Sequence, residues 1–410
     1  MKKTHLILLL FPLIGIGQTA TVIAVKTNDL VYSPVTNKIY VSVRSENDVN
    51  GNSISTINPQ TALFENTFPI GTNPSVLAIS ADGNTIYSGF ETLPEIKKFD
   101  LQANPVSTTI ALGSDPETGD YLAEDIVILP EANTIAVSRR NKNFAPKHEG
   151  VVIFDNLMMR ALSSKDHTGA NQIELTSTGQ LLGFNNETTE SGIRKLTIGT
   201  AGITGVQVSK LDEISGKLTF KIYNDIAYFS NGKAVRNLAT NPEIAGTFEN
   251  AFGPMVYDAA ANLICYASYN LLGSISLNRY NPTDYSLVDS YAISQANGIV
   301  KNIVACGNGI YALNTADEVI VVNRVLGTQQ FEQNTTLLLH PNPATNVLNI
   351  DSDVNVLEIS IFNTLGQLAK TYGNLSDKKN TVDISSLQTG TYYVKIKSET
   401  QEITKKLIKL

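Results

Sequence analysis

Tryptophan is absent from this 410-residue chain, histidine occurs four times and cysteine twice. His5 and His340 lie in the two end segments, so only His148 and His167 remain for the body between them, and a multi-histidine copper or zinc site is excluded there. Two cysteines cannot make a disulfide framework. Cys265 and Cys306 both sit in apolar runs, where small buried hydrophobes are the ordinary reading, and their spacing leaves pairing open. No later stretch approaches the roughly eighteen consecutive apolar residues of a membrane helix, so no helical anchor is expected in the mature chain. A G-x-S-x-G elbow, a P-loop and a Cys/His pair are all missing. Charged residues make up 17% of the chain, too few for a protein built on charged amphipathic helices.

What is present begins at the N-terminus. Lys2 and Lys3 precede an apolar run over 6–16, followed by small residues and Gln over 15–20. That order is the pattern of a secretory signal peptide, with cleavage expected between residues 17 and 20. The formal charge is −7 overall, yet the signal contributes +2 and residues 337–410 contribute +1, which leaves −10 on the segment between. An acidic body has no basic footprint for phosphates, so nucleic acid is not an expected partner.

The body repeats one phrase: an apolar run, a polar turn with Asn or Gly, then a second apolar run. It reads LVYSPVTNKIYVSV from Leu30, VLAISADGNTIYSGF from Val76, DIVILPEANTIAVS from Asp125 and QIELTSTGQLLGF from Gln172. Weaker copies begin at Leu218, Met255 and Ile303. Each is a β-hairpin signal. The apolar anchors of the second strands are Ile39, Ile86, Ile135, Leu181, Ile226, Ile264 and Ile310, spaced 47, 49, 46, 45, 38 and 46 residues apart. Seven units of this length match the four-strand blade of a β-propeller, and the regular spacing disfavours a β-helix or a pair of sandwiches. The last unit lacks a convincing fourth strand, whereas TVIAVKT from Thr21 is a strand without a sheet. Pairing the two would close the ring and bury its free edges.

In NKIYVSV and PIGTNPSVLAISADGNTIYSGF the first two units resemble the YVTN-type propeller repeats of bacterial and archaeal surface proteins. Units three to five depart from that pattern, with insertions around 141–149 and 186–192. Propeller quinoprotein dehydrogenases usually stack their cofactor on Trp, and this chain has none.

Beyond the polar stretch GTQQFEQNTT the text changes. LLLHPNPATNVLNI, EISIFNTLGQLAKTY and VDISSLQTGTYYVKIKS read as short strands, about seven with the last one, ITKKLIKL, and so as a small Ig-like β-sandwich. Pro341 and Pro343 cannot donate to a ladder and mark strand entry, while Gly366 and Gly390 suit turns. The segment closely resembles the type A C-terminal sorting domain of the type IX secretion system of Bacteroidota. The resemblance rests on Pro341, Asn342, Pro343 and Ala344, on Val356, Ile361, Asn363, Gly366 and Gln367, and on Asp383, Ile384, Leu387, Gly390, Tyr392 and Lys395. His340 stands where the family usually has an aromatic residue. The resemblance implies passage of the inner membrane by signal peptide, recognition at the outer membrane, and release or attachment at the surface of a Gram-negative cell.

The expected organisation is therefore all-β: signal peptide 1–20, seven-bladed propeller 21–327, linker 328–336 and sorting domain 337–410. Two features of the body bear on chemistry. The acidic stretch over 114–125 holds Asp115, Glu117, Asp120, Glu124 and Asp125. Hard oxygen ligands on a loop suit Ca²⁺, with Asp115, Glu117 and Asp120 as candidates, although no EF-hand spacing is present and a solvated acidic loop is the plainer reading. Arg139, Arg140, Lys142, Lys147 and His148 form the one local basic cluster, which would line one face of the ring or lie on a surface loop. No catalytic or cofactor-binding constellation assembles from the sequence. The leading expectation is a monomeric binding protein for an unknown extracellular protein or glycan; the rival is a hydrolase, lyase or lactonase-like enzyme using carboxylates at the central channel. Carboxylates converging in the channel mouth, or one paired with His148, would favour the enzyme.

Overall fold

A computed structural model describes residues 19–101, 107–164, 169–188, 192–238, 240–270, 272–324, 337–364, 366–373, 375–398 and 402–410. Residues 1–18, where a signal peptide is expected, His167 and the expected linker 328–336 lie outside these residues. Two compact units are present, Met1–Leu326 and Gly327–Leu410.

Every regular element among the described residues is a β-strand. Val, Ile, Thr and Tyr alternate along the runs and suit a pleated surface, and each run ends at a residue able to turn left-handed. In the first unit the strands make seven antiparallel sheets, over 27–69, 74–111, 114–159, 172–209, 220–247, 255–297 and 302–323 with Thr19–Ala24. The first hairpin of each turns on a positive-φ residue: Asn37, Gly83, Asn133, Gly179, the Asn224–Asp225 pair, Asn262, and Asn308 with its flanking glycines. The hairpins expected at Leu30, Val76, Asp125, Gln172, Leu218, Met255 and Ile303 supply what we call the first and second strands of these seven sheets, the third sheet having one short extra strand, Ser114–Asp115, ahead of them.

The first strand of each sheet packs against the first strand of the next, and the seventh packs against the first, so the sheets form a closed ring. Its core is correspondingly divided. Seven apolar clusters each span two adjacent sheets, as where Tyr40 and Ile54 of the first meet Leu77, Ile86 and Phe99 of the second. Of the second-strand anchors, Ile39, Ile86, Ile135, Leu181 and Ile264 are fully buried and Ile310 nearly so, while Ile226 is half-buried. Each such side chain contributes roughly 1.5–3 kcal/mol.

The ring closes as the chain ends foretold. Thr19–Ala24 lies antiparallel to Glu318–Asn323, with Val22 opposite Ile320, as the fourth strand of the seventh sheet. Lys301 Nζ donates to Thr27 O at 3.0 Å and Asn314 Nδ2 to Thr27 Oγ1 at 3.0 Å, tying that sheet to the first.

Two expectations need correction. The acidic stretch 114–125 is not a loop: Ser114–Asp115 pairs with the beginning of the ten-residue strand Gly119–Ile128, because Gly119, at φ 97°, lets the chain reverse at once. The third sheet thereby has five strands. Among the described residues of the second unit there are six strands, not about seven, because the text from Val347 to Asn363 is one 17-residue strand. Its first half pairs with Leu337–His340 and Asp377–Asp383, and its second half with Leu368–Tyr372 and Gly390–Ser398. Leu348, Ile350, Ile359, Ile361, Val394 and Ile396 form the centre of this unit's core.

Candidate functional site

The first strands meet at one cavity of about 400 Å³, to which all seven sheets contribute. The first sheet supplies Asn28 and Asp29, the second Ser75, Val76 and Glu91, and the third Glu124, Asp125 and Arg140. Gln172 and Glu174 come from the fourth sheet, and Phe220 and Lys221 from the fifth, with Thr219 just ahead of them. Pro254 and Met255 make an apolar stretch at the sixth, and Lys301 and Asn302 complete the circle at the seventh.

Three of these residues occupy the same place in their repeats, directly before the buried apolar residue that heads each hairpin phrase, Leu30, Ile126 and Ile303. Asp29, Asp125 and Asn302 each accept a hydrogen bond from the next backbone N–H, that of Leu30 at 2.8 Å, Ile126 at 2.9 Å and Ile303 at 2.8 Å. The second oxygen of Asp29 reaches the N–H of Leu77 in the following sheet at 2.9 Å, and that of Asp125 reaches Ile173 in the same way at 2.9 Å. Asn302 Nδ2 donates to Asp29 Oδ1 at 2.8 Å across the seam between the last and first sheets. These carboxylates act as staples between neighbouring first strands.

Electrostatics follow from depth. Asp125 and Glu124 lie deep in the ring yet keep part of their surface open to the cavity. Burial raises Asp125 to about 7, an effect Lys221 opposes and Glu174 reinforces. Glu124 rises to about 8 through burial first and the nearby Glu187 second, with Arg140 pulling the other way. Asp29 is also raised by burial, partly offset by the hydrogen bonds it accepts. Glu174 and Lys221 form an ion pair; burial works against the Lys221 charge, but Glu174 and Asp125 hold its pKa above the usual value. Five of the lining residues carry a buried polar atom without a hydrogen-bond partner: Ser75 Oγ, Glu124 Oε2, Arg140 Nε, Gln172 Oε1 and Thr219 Oγ1. Buried groups left this way are rare and costly unless a ligand or water meets them.

The acidic stretch is split by the strand that contains it. Five residues of extended chain, about 16 Å, separate Asp120 from Asp125. Asp115 closes its own turn, accepting from the backbone N–H of Glu117 at 2.9 Å and of Thr118 at 2.8 Å, which holds its pKa down. Glu117 and Asp120 are exposed. Among the described residues no group of three His, Cys, Asp or Glu is arranged to hold a metal ion. The basic cluster is split too. Arg140 faces the cavity, whereas Arg139 is buried over the Tyr121 ring at 4.3 Å and donates to Glu149 O at 3.1 Å. His148 is buried with Nδ1 3.4 Å from Ser138 Oγ and does not line the cavity; Lys142 and Lys147 are exposed. Cys265 and Cys306 are buried free thiols, not a bridge.

In the second unit Asn342 fastens the turn between Pro341 and Pro343 to the last strand. Its Nδ2 donates to Lys406 O at 2.8 Å and its Oδ1 accepts from Ile408 N–H at 2.9 Å. Ala344 is buried beside it and exchanges backbone hydrogen bonds with Ile408 and Leu410. Gly366, at φ 75°, closes the turn with Asn363, Gly390 opens a strand, and Tyr392 Oη donates to Gln388 O at 3.0 Å.

Residues 338–410 match the family model "Secretion system C-terminal sorting domain", which implies export by the type IX secretion machinery. No curated protein matches the chain in sequence. Among solved structures, the chain is similar to the Cps50 (Swd1) β-propeller domain of Myceliophteria thermophila, at 12% identity and a TM-score of 0.56 over 75% of this chain and 99% of that one. It is similar to a streptogramin B lyase, at 13% identity and a TM-score of 0.55 over 74% and 97%. The hydrazine synthase of Kuenenia stuttgartiensis aligns at 12% identity and a TM-score of 0.54 over 74% and 97%. At such identities these likenesses establish the fold alone, a β-propeller for the body; the sorting tail rests on the family match over 338–410.

Proposed function

We propose that this chain is an exported seven-bladed β-propeller that binds a polar ligand in the cavity on its axis, carried to the cell surface or medium by an Ig-like sorting tail. The seven sheets in a closed ring support the blade count, and the two-sided pairing of the 17-residue strand supports a sandwich in the tail. The start of the chain is read as a signal peptide and the first two units as YVTN-like repeats of a Bacteroidota surface protein. One observation carries the binding reading: five carboxylates and three cations converge on a cavity of ligand size, with unpartnered polar atoms around it.

A second reading has its own support. Glu124 at about 8 and Asp125 at about 7 stand near neutrality, the range suited to general acid–base work, so the propeller enzyme using channel carboxylates stays in play.

The test fills the cavity. Ser75→Trp should abolish the thermal stabilisation that any ligand from a small-solute panel confers on the full chain. Undiminished stabilisation of that variant by the same ligand would place binding elsewhere. Turnover of a panel solute, lost in Glu124→Gln, would decide for the enzyme.

A further inference from the structure

The unpartnered atoms of the cavity are mostly acceptors. Glu124 Oε2 and Gln172 Oε1 can only accept when Glu124 is ionised, and the Ser75 and Thr219 hydroxyls can accept as well. Ser75 is only 8% exposed, so nothing but an occupant of the cavity can complete its bonding. Of the five, Arg140 Nε is the one that can only donate.

Charge points the same way. Lys221 pairs with Glu174 and also faces Asp125, whose two oxygens are taken by backbone N–H groups, so one cation is shared between two carboxylates. Five lining carboxylates, Asp29, Glu91, Glu124, Asp125 and Glu174, outnumber the cations Arg140, Lys221 and Lys301, and in the empty, poorly solvated space burial answers the excess by favouring a proton on Glu124. An occupant that supplies positive charge and several N–H donors removes both deficits. A neutral polyol would satisfy the hydroxyls and leave the charge uncompensated; an anion would worsen it.

We propose that the cavity takes a small organic cation, with a primary ammonium group held by Glu124, Gln172 and a hydroxyl of Ser75 or Thr219 and its methylenes against Met255 and Pro254. This inference rests on the cavity being the binding site. Its protonation consequence is specific. Without an occupant, burial, Glu187 and Asp125 outweigh Arg140 and favour the protonated form of Glu124, whereas Lys221 and the two backbone N–H groups work for the ionised form of Asp125. A bound ammonium lowers Glu124, so binding releases a proton.

The probe is 1,4-diaminobutane, titrated calorimetrically into the full chain at pH 7.5 in phosphate and in HEPES, neither of which offers a primary ammonium group, with butane-1,4-diol as the neutral control. Saturable 1:1 binding is expected, with between half and one proton released, and the diol should bind at least tenfold more weakly. Glu124→Gln should weaken diamine binding at least tenfold and remove the buffer dependence; Ser75→Ala, a milder change, should weaken it several-fold without altering the melting temperature by more than a few degrees. No saturable binding of the diamine, equal binding of the diol, or an unaffected Glu124→Gln variant overturns the inference. A neutral hexose that binds and is lost in Ser75→Trp keeps the cavity and overturns only the cation; a panel solute whose binding Ser75→Trp leaves intact overturns both.

Discussion

Asp29 and Asp125 show what one side chain does for this ring. Each satisfies two backbone N–H groups in two different sheets, so each replaces hydrogen bonds that no β-ladder provides at that point. Asp29→Ala leaves the N–H groups of Leu30 and Leu77 without acceptors and should cost about 2 kcal/mol, read as a lowered denaturation midpoint at unchanged slope. Glu124 behaves differently. Its native value near 8 stands above the ordinary 4.5, so the folded state holds a proton that the unfolded chain gives up. The stability this adds is complete below about pH 4.5 and is lost as pH rises through 8. From pH 6 to 8 the empty protein should lose about 1–2 kcal/mol, and Glu124→Gln should flatten that slope in urea titrations. Of these residues, sequence reasoning saw Glu124 and Asp125 only as members of an acidic run. Aligning the repeats on Leu30, Ile126 and Ile303 reveals the shared polar position before each, but the staple itself depends on a residue 48 positions away.

At the scale of strands and turns the text was far more legible. Asn and Gly at left-handed positions interrupt alternating apolar runs, so the seven first hairpins stand out without knowledge of their neighbours. Short flanking strands such as Met158–Met159 escaped notice because two exposed residues carry no periodicity. The continuity of Val347–Asn363 also escaped notice, because Asp351, Asp353 and Asn355 look like a turn. Contacts between successive sheets are equally invisible beforehand. At Gly202, where φ is 122°, an added Cβ would lie 2.0 Å from Leu162 O, the carbonyl that accepts from Ile203 N–H at 3.0 Å. Gly202→Ala should therefore destabilise by about 3 kcal/mol or more, measurable by chemical denaturation. Ile23→Pro removes a ladder donor opposite Val319 and adds a ring clash; a cost of about 3 kcal/mol and a rise in light scattering on heating, as the Glu318–Asn323 edge is bared, are expected.

For the molecule as a whole, the period near 46 residues specifies the ring because each sheet buries its faces only against the next. The cavity was not legible for the same reason: its walls come from seven segments spread over 28–302, and only closure brings them together. The tail was read from three ordered blocks, and the buried places of Ala344, Val356, Ile361 and Ile384 explain the apolar part of that pattern. Deleting residues 337–410 should retain the propeller in the periplasm, detected by fractionation; its normal appearance at the surface or in the medium would exclude a sorting role.

The pairing of Thr19–Ala24 with Glu318–Asn323 has a temporal consequence. The earliest strand of the ring has its partner at the far end of the propeller sequence, so a chain made or threaded from its N-terminus cannot finish this domain until nearly all of it has emerged. Blades formed on the way still lack their last neighbour, and completion is slow and late, as for any contact of such sequence separation. The cavity is late for the same reason, since its wall is complete only once Lys301 and Asn302 of the seventh sheet have joined Asn28 and Asp29 of the first.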